Sequence, residues 1–318
     1  MKRWIVLIVA AALGYAVFWF YEANALRGQV SDWMDARRAD GWQVEAEVKV
    51  RGFPSRLDLT LSDLDVITAE GTRVEAPIFQ SLGLTYKPGH HILVLPQGAV
   101  ITKGGATTTV DGQGLRASVI TDADGQLLRL NAEAETLNIA NDDRSLAAAG
   151  VLLGFQMASA RTYRLGLSAD ALAGPSGTMA PDSADALSVQ AEIAFDRDWR
   201  LGDLPQERPQ PTNLDLRLAQ YQVGALNVHL AGKMSISASG TPDGALTLRA
   251  TNWQEALTGL RDTGHLPDTL ADALMSGLSL AATLSGKPNT LDLPLTFKGG
   301  KTNLGPIPLG PAPRLRLP

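Results

Sequence analysis

Residues 42–51 read Trp42-Gln43-Val44-Glu45-Ala46-Glu47-Val48-Lys49-Val50-Arg51. Apolar and polar side chains take alternate places. Successive side chains of a strand point to opposite faces, so this stretch specifies a strand with one dry face and one wet face. Gly52-Phe53-Pro54 then interrupts the ladder, because proline donates no N–H. Leu57, Leu59 and Leu61 resume the alternation against Arg56, Asp58 and Thr60.

Toward the C-terminus the same period returns many times. It is read at Val74, Ala76 and Ile78; at Leu82, Leu84 and Tyr86; in short runs at 92–95 and 99–102; and at Leu115, Ala117 and Val119. Leu128 and Leu130, then Leu137 and Ile139, continue it. In the second half it recurs at Leu187 to Phe195, Leu214 to Leu218, Leu226 to Leu230, Met234 to Ala238, Leu246 to Ala250 and Leu291 to Phe297. Glycine-rich turn signals at Asp124-Gly125, 240–244 and Gly299-Gly300 separate the runs. One apolar face per strand implies antiparallel pairing. The predicted fold is therefore mainly β: a large antiparallel, strongly twisted sheet or β-groove, with an N-terminal membrane and stalk helix and a few short helices in the C-terminal half. Those helices are expected at 253–260, with Asn252 as cap, and at 268–275. A further short helix is expected at 145–153, inside the ambiguous stretch 143–157. Pro-, Ser- and Gly-rich residues 173–183, and residues 205–211, read as linkers. They leave two β-rich portions, 42–172 and 184–318, and the five prolines in 306–318 predict an extended segment.

Toward the N-terminus the period disappears. Lys2 and Arg3 precede an unbroken apolar run at 4–21. As a helix this run is about 27 Å long at about 1.5 Å per residue, close to a hydrocarbon core of about 30 Å. Trp4 marks one end and Phe18-Trp19-Phe20-Tyr21 the other, as interfacial aromatics do. The cationic start predicts an N-inside, C-outside orientation with the rest of the chain exported. Two outcomes stay open: a retained single-pass anchor in the inner membrane with a periplasmic domain, or cleavage after Ala25 at the small-residue site Ala23-Asn24-Ala25. The length of the run and its bulky end favour the anchor at 1–21. Leu26, Val30, Trp33, Met34 and Arg37 then fall on one helical stripe, which predicts an amphipathic stalk over 22–41 ending at Gly41.

Composition narrows the function. Lys+Arg is 28 and Asp+Glu is 33, a net charge of −5 with no basic block, which excludes a phosphate-driven nucleic-acid binder. The chain has no cysteine, which removes disulfides, Cys-ligated metals, thiol catalysis and a lipid-modified N-terminal Cys. Of 18 aromatic residues, six lie in the first 21 positions, so the body is aliphatic. It offers few stacking rings for sugars or single-stranded nucleic acid, whereas aliphatic walls suit core packing and equally suit acyl chains.

No catalytic, cofactor-binding or metal residue is assigned. His90 and His91 adjoin Pro88-Gly89 and are expected in a turn, with no third ligand at suggestive spacing. His229 reads as a solvated strand residue, and His265 as a cation near a helix end. Gly112-x-Gly114-x-x-Ala117 has the spacing of a dinucleotide fingerprint but is followed by a strand pattern where that motif needs a helix. Asp122-x-Asp124-Gly125 reads as a hairpin turn, and Asp63 and Asp65 as solvated charges. The ligand candidates are Phe53 and Arg56. A backbone reading makes Phe53 a core plug, Pro54 the turn and Arg56 a wet-face residue. A functional reading lets Arg56 hold a lipid phosphate near the bilayer.

Gly52-Phe53-Pro54-Ser55-Arg56-Leu57-Asp58-Leu59 after such an anchor and stalk resembles domain of unknown function 2125, an uncharacterised proteobacterial envelope family. Trp199-Arg200-Leu201, the stretch from Gly240-Thr241-Pro242-Asp243-Gly244 to Asn252-Trp253, and Leu304-Gly305-Pro306-Ile307-Pro308 are similar to that family in the same order. The resemblance implies a Gram-negative protein held at the inner membrane and supplies no activity or catalytic residues. The Leu-x-Leu rhythm after glycine turns also resembles AsmA-like envelope proteins, whose sheets form lipid grooves. The function expected is non-enzymatic: handling or shielding membrane lipid, or supporting envelope assembly. The alternatives are a scaffold binding an envelope protein partner through its sheet, or a hydrolase with a dispersed site.

Overall fold

The computed structural model describes residues 2–141, 145–173, 186–204, 208–223, 225–262, 268–284 and 289–317. The expected linker at 174–183 and His265 lie outside them. The fold is mainly β, every pairing is antiparallel, and a long apolar helix precedes the strands. The chain divides into two units, Met1–Ala149 and Gly150–Pro318.

In the first unit, α1 (Lys2–Ala39) is continuous, so the apolar run and the stalk form one helix. It ends as its sequence specifies: Gly41 takes φ 86° and the Trp42 N–H donates to the Arg37 carbonyl. The strands β1 (Gln43–Arg51), β2 (Arg56–Ile67) and β3 (Arg73–Leu84) pair in sequence. The long β3 then carries two short strands end to end, β4 (His90–Val94) and β5 (Ala99–Lys103). These pair in turn with β7 (Arg116–Thr121) and β6 (Ala106–Gln113), and both of those pair with the long β8 (Leu127–Asn141). The Thr-rich β6 carries no alternation of apolar residues, and its β-branched content was the available signal.

Two details corrected the alternation. Asp63 has φ 53° and the register between β1 and β2 shifts beside it. This bulge moves the apolar positions of β2 from odd to even numbers, so that Leu59, Leu61 and Val66 all stand opposite Val50, Val48 and Val44. Asp63 and Asp65 are therefore not equivalent: Asp65 accepts from Arg73 Nε and Nη2 at 3.0 and 2.6 Å. Likewise His90 and His91 open β4 rather than lying in a turn.

The second unit is a meander of β9 (Ser145–Ser159), from Gly150 onward, β10 (Thr162–Ala169), the short β11 (Ala171–Ala173), β12 (Ala186–Phe195), β13 (Pro211–Val223), β14 (Leu226–Ile236) and β15 (Pro242–Thr251). Two helices, α2 (Trp253–Asp262) and α3 (Asp268–Leu284), come next, followed by β16 (Thr290–Lys298), β17 (Lys301–Leu304) and β18 (Ile307–Pro311). The helix expected at 145–153 is the strand β9 instead. Its Ala- and Leu-rich sequence favours a helix locally, but its backbone pairs along β10, with Gly154 opposite Gly166 and Phe155 opposite Leu165, and tertiary pairing overrides propensity. Asn252 precedes α2 with φ 57°, and its side-chain amide donates to the Ala225 carbonyl at 2.8 Å.

This unit's apolar face is filled. Trp253, Leu278 and Ala282 from the helices pack with Ala250 and Leu291 of the strands. Ala191, Leu216, Met234, Leu246 and Phe297 form a second cluster, which Ala312 and Leu315 cover. Phe155 stacks on Tyr163 at 4.5 Å, with Phe195 and Trp199 edge-on to the pair.

Candidate functional site

The first unit treats the same kind of face differently. Following the cross-strand partners, one face carries Val48 and Val50, then Leu61 and Leu59, then Phe79 and Ser81, then Leu93, then Ala117 and Val119, then Ala132 and Leu130. The lower strands extend it through Val66, Val74 and Ile101. Of the leucines, valines and isoleucines in this row, Val50 and Val119 are buried and the others are half-buried. Among the described residues, α1 is this unit's only helix, and its cluster of Trp19 and Ala23 with Leu26, Val50, Leu57 and Leu59 covers only the β1–β2 edge. From Phe79 to Leu130 the face is mainly apolar, with the hydrogen-bonded pair Ser81 and His91 set into it, and no helix lies over it among the described residues.

The seam between α1 and β2 is specific. Trp19 is 4% exposed and donates its indole N–H to the Arg56 carbonyl at 2.7 Å, and Ala23 is 1% exposed. The Tyr15 hydroxyl bonds the Thr85 hydroxyl at 3.1 Å, while the Thr85 N–H donates to the Ser55 carbonyl. Farther along α1, Arg27 donates to the Val50 carbonyl and Arg38 to the Val44 carbonyl. The buried stripe of α1 thus starts at Trp19, inside the apolar run, and continues through Ala23 to Met34. Trp33, expected on that stripe, is exposed.

Phe53 and Arg56 lie at this seam. Phe53 is not a core plug: it is 52% exposed, stacked on Phe20 at 5.9 Å and edge-on to Trp19 at 5.5 Å. Gly52 is required there, since φ is 111° and a Cβ would stand 2.7 Å from the Arg56 Cβ. Arg56 lies exposed, and both its Nε and Nη2 reach the Asp58 carboxylate, at 3.1 and 3.0 Å. The backbone and turn roles of this motif are on view; its guanidinium is already paired. Thr85 and Tyr86 complete the site; the alternation of Leu82, Leu84 and Tyr86 puts Tyr86 on a strand, whereas β3 ends at Leu84 and both residues lie in the turn after it.

The remaining sequence candidates have structural roles. His90 Nε2 bonds Ser118 Oγ at 3.0 Å and His91 Nδ1 bonds Ser81 Oγ at 3.3 Å. As consecutive strand residues they point to opposite faces and do not converge on one ion. Partial desolvation, with His90 beside it, holds the His91 imidazole below the usual histidine range. Gly112 is glycine because a Cβ would stand 2.0 Å from the Thr136 carbonyl oxygen, which accounts for the false fingerprint. Asp122 Oδ1 accepts from the N–H groups of Asp124 and Gln126, both at 2.9 Å, closing the expected hairpin turn.

Residues 19–313 match the family described as uncharacterized protein conserved in bacteria, DUF2125. No curated protein and no solved structure matches the chain.

Proposed function

Because the chain belongs to the DUF2125 family, whose description gives no activity, we propose from its own surfaces that it is a membrane-anchored envelope protein whose open sheet face holds or shields lipid acyl chains. The observation that carries this reading is the half-buried, mainly apolar face from Phe79 to Leu130, with no helix over it among the described residues, in the unit that also bears an apolar helix long enough to cross a membrane. Contiguous apolar surface of this kind marks a binding face, and aliphatic side chains match acyl chains without demanding polar geometry.

The retained anchor is favoured over cleavage by what cleavage would remove. Cutting after Ala25 takes away Trp19 and Ala23, the two most buried residues of the seam, and exposes Val50 and Leu59. With Lys2 and Arg3 on the cytoplasmic side, the sheet stands in the periplasm at the inner membrane. Protease added to spheroplasts should then digest the sheet while leaving a membrane-embedded α1 fragment.

Scaffolding by strand addition has less support. β18 is short and is flanked and interrupted by Pro306, Pro308 and Pro311, which lack the N–H groups that an added strand needs. Lipid holding is tested by extracting the full-length protein from membranes and measuring bound lipid by mass spectrometry. Phospholipid should copurify above a control membrane protein. The double substitution Phe79→Asp and Leu93→Asp, at half-exposed positions of the face, should lower it several-fold without unfolding the protein. Equal lipid in both proteins would sink the proposal.

A further inference from the structure

The seam fixes how deep α1 can sit. Tyr15, Trp19 and Phe20 are all engaged by the sheet's turns, through Thr85, Arg56 and Phe53. Tyr15 lies six residues before the end of the apolar run, about 9 Å below it at about 1.5 Å per residue. The segment free of the sheet, residues 2–14, is about 20 Å long on the same rise. A hydrocarbon core is about 30 Å thick. A helix crossing it cannot keep the turns bound to Tyr15 in water unless the bilayer thins by about 10 Å, and mismatch of that size is costly.

The outward side of α1 agrees. Beside the turns it remains apolar, with Val17 70%, Phe20 63% and Tyr21 70% exposed. The turns themselves present an exposed phenyl and an exposed phenol, Phe53 and Tyr86, with Tyr86 66% exposed. Next to Tyr86 stands Lys87, also exposed, whose ammonium can reach headgroup phosphates while its stem stays in the interface. Aromatics at the end of a membrane body with a snorkelling cation are the composition of a bilayer interface.

We infer that the two sheet tips of the first unit, Phe53-Pro54 between β1 and β2 and Tyr86-Lys87 between β3 and β4, are sunk in the bilayer leaflet beside α1. This rests on the reading of α1 as a membrane span. It adds to that reading that the sheet is inserted rather than tethered above the surface, with its β1–β2 and β3–β4 tips within the leaflet. The ligand is the bilayer itself, engaged through its interface and the first methylenes of its chains.

The chain has no cysteine, so single labels report cleanly. The full-length protein carrying Phe53→Cys or Tyr86→Cys is spin-labelled and reconstituted into phosphatidylethanolamine–phosphatidylglycerol vesicles, and oxygen and nickel-chelate accessibilities are compared. Ile8→Cys serves as the reference within the span and Asp124→Cys, on an exposed hairpin turn, as the reference in water. Ser55→Cys changes only an exposed hydroxyl and serves if Phe53→Cys loosens the seam. Labels at 53, 55 and 86 should shift toward the oxygen-accessible, nickel-protected values of Ile8. If they match Asp124 while Ile8 stays lipid-exposed, the tips stand above the membrane and the inference falls with the anchor intact. If Ile8 also matches Asp124, the anchor reading itself fails and the inference with it.

Discussion

The two units are written in the same alternating code and finish it differently. In the second, Trp253, Leu278 and Ala282 arrive from helices, and Ala312 and Leu315 from a later extended segment, to bury the apolar faces of the strands. In the first, a similar face meets one helix at one edge, and its other apolar side chains stay half-buried with no helix over them among the described residues. Alternation therefore specifies which face is dry in principle, not what keeps it dry. A face covered by its own chain is core, and a face that is not covered is available to something else.

Equivalent truncations should break or sharpen this contrast. Phe297→Ala removes a ring buried in the filled unit and should cost about 3–5 kcal/mol, as such core deletions do. Phe79→Ala, on the open face, should cost about 1–2 kcal/mol because it removes less area from water. Denaturant unfolding of the full chain in detergent measures both, and equal losses would show that the first face is as closed as the second. At the seam, Trp19→Phe keeps most of the ring but leaves the Arg56 carbonyl without its donor. It should cost about 1 kcal/mol, seen as faster amide exchange in β1 and β2 and not in the second unit.

The smallest expected difference is in pH response. Two groups of the first unit, His91 and Asp65, are displaced from their ordinary values. His91 is held below its ordinary 6.5 by partial desolvation and by His90, so the folded state resists protonation there. Its contribution is whole above pH 6.5, is lost as the pH falls from there to its lowered folded value, and levels off below that. Asp65 is lowered by its hydrogen bonds from Arg73, so it supports the β2–β3 pair above pH 3.8 and loses that role as the pH falls through its own lower value. Hydrogen exchange at stepwise lower pH should loosen the first unit before the second, and His91→Gln should flatten the step near neutrality.

Much of the fold was legible because the sheet is half-wet: where one face meets solvent, period two is printed in the sequence, as at Gln43–Arg51. It failed where pairing rather than patterning decides. Ser145–Ser159 is Ala- and Leu-rich and looks helical, yet β10 holds it as a strand. Asp63 is exposed, as a solvated charge should be, but the bulge it makes was not legible, because a bulge is a backbone event with little side-chain signature. α3 runs on to Leu284, past the expected end at 275, because Leu278 and Ala282 complete the buried cluster. At the candidate site, the Gly-Phe-Pro break was visible, but not its partner. Nothing local tells Phe53 that Phe20 and Trp19 lie beside it, since that contact spans the whole stalk.

The closing of the second unit also sets an order in time. Gln210 at the start of its β13 exchanges hydrogen bonds with Leu317, 107 positions later, and the Leu315 N–H caps the turn at Gly240. As the chain is made, strands β9 to β16 can pair as they emerge, but the cluster of Ala191, Leu216, Met234, Leu246 and Phe297 stays unsealed until residues 312–317 follow. The first unit has no such wait at its seam, because α1 and β2 are near neighbours in sequence. One half of the protein can mature while the chain is still being made, and the other is open to proteases and chaperones until its last contacts have emerged.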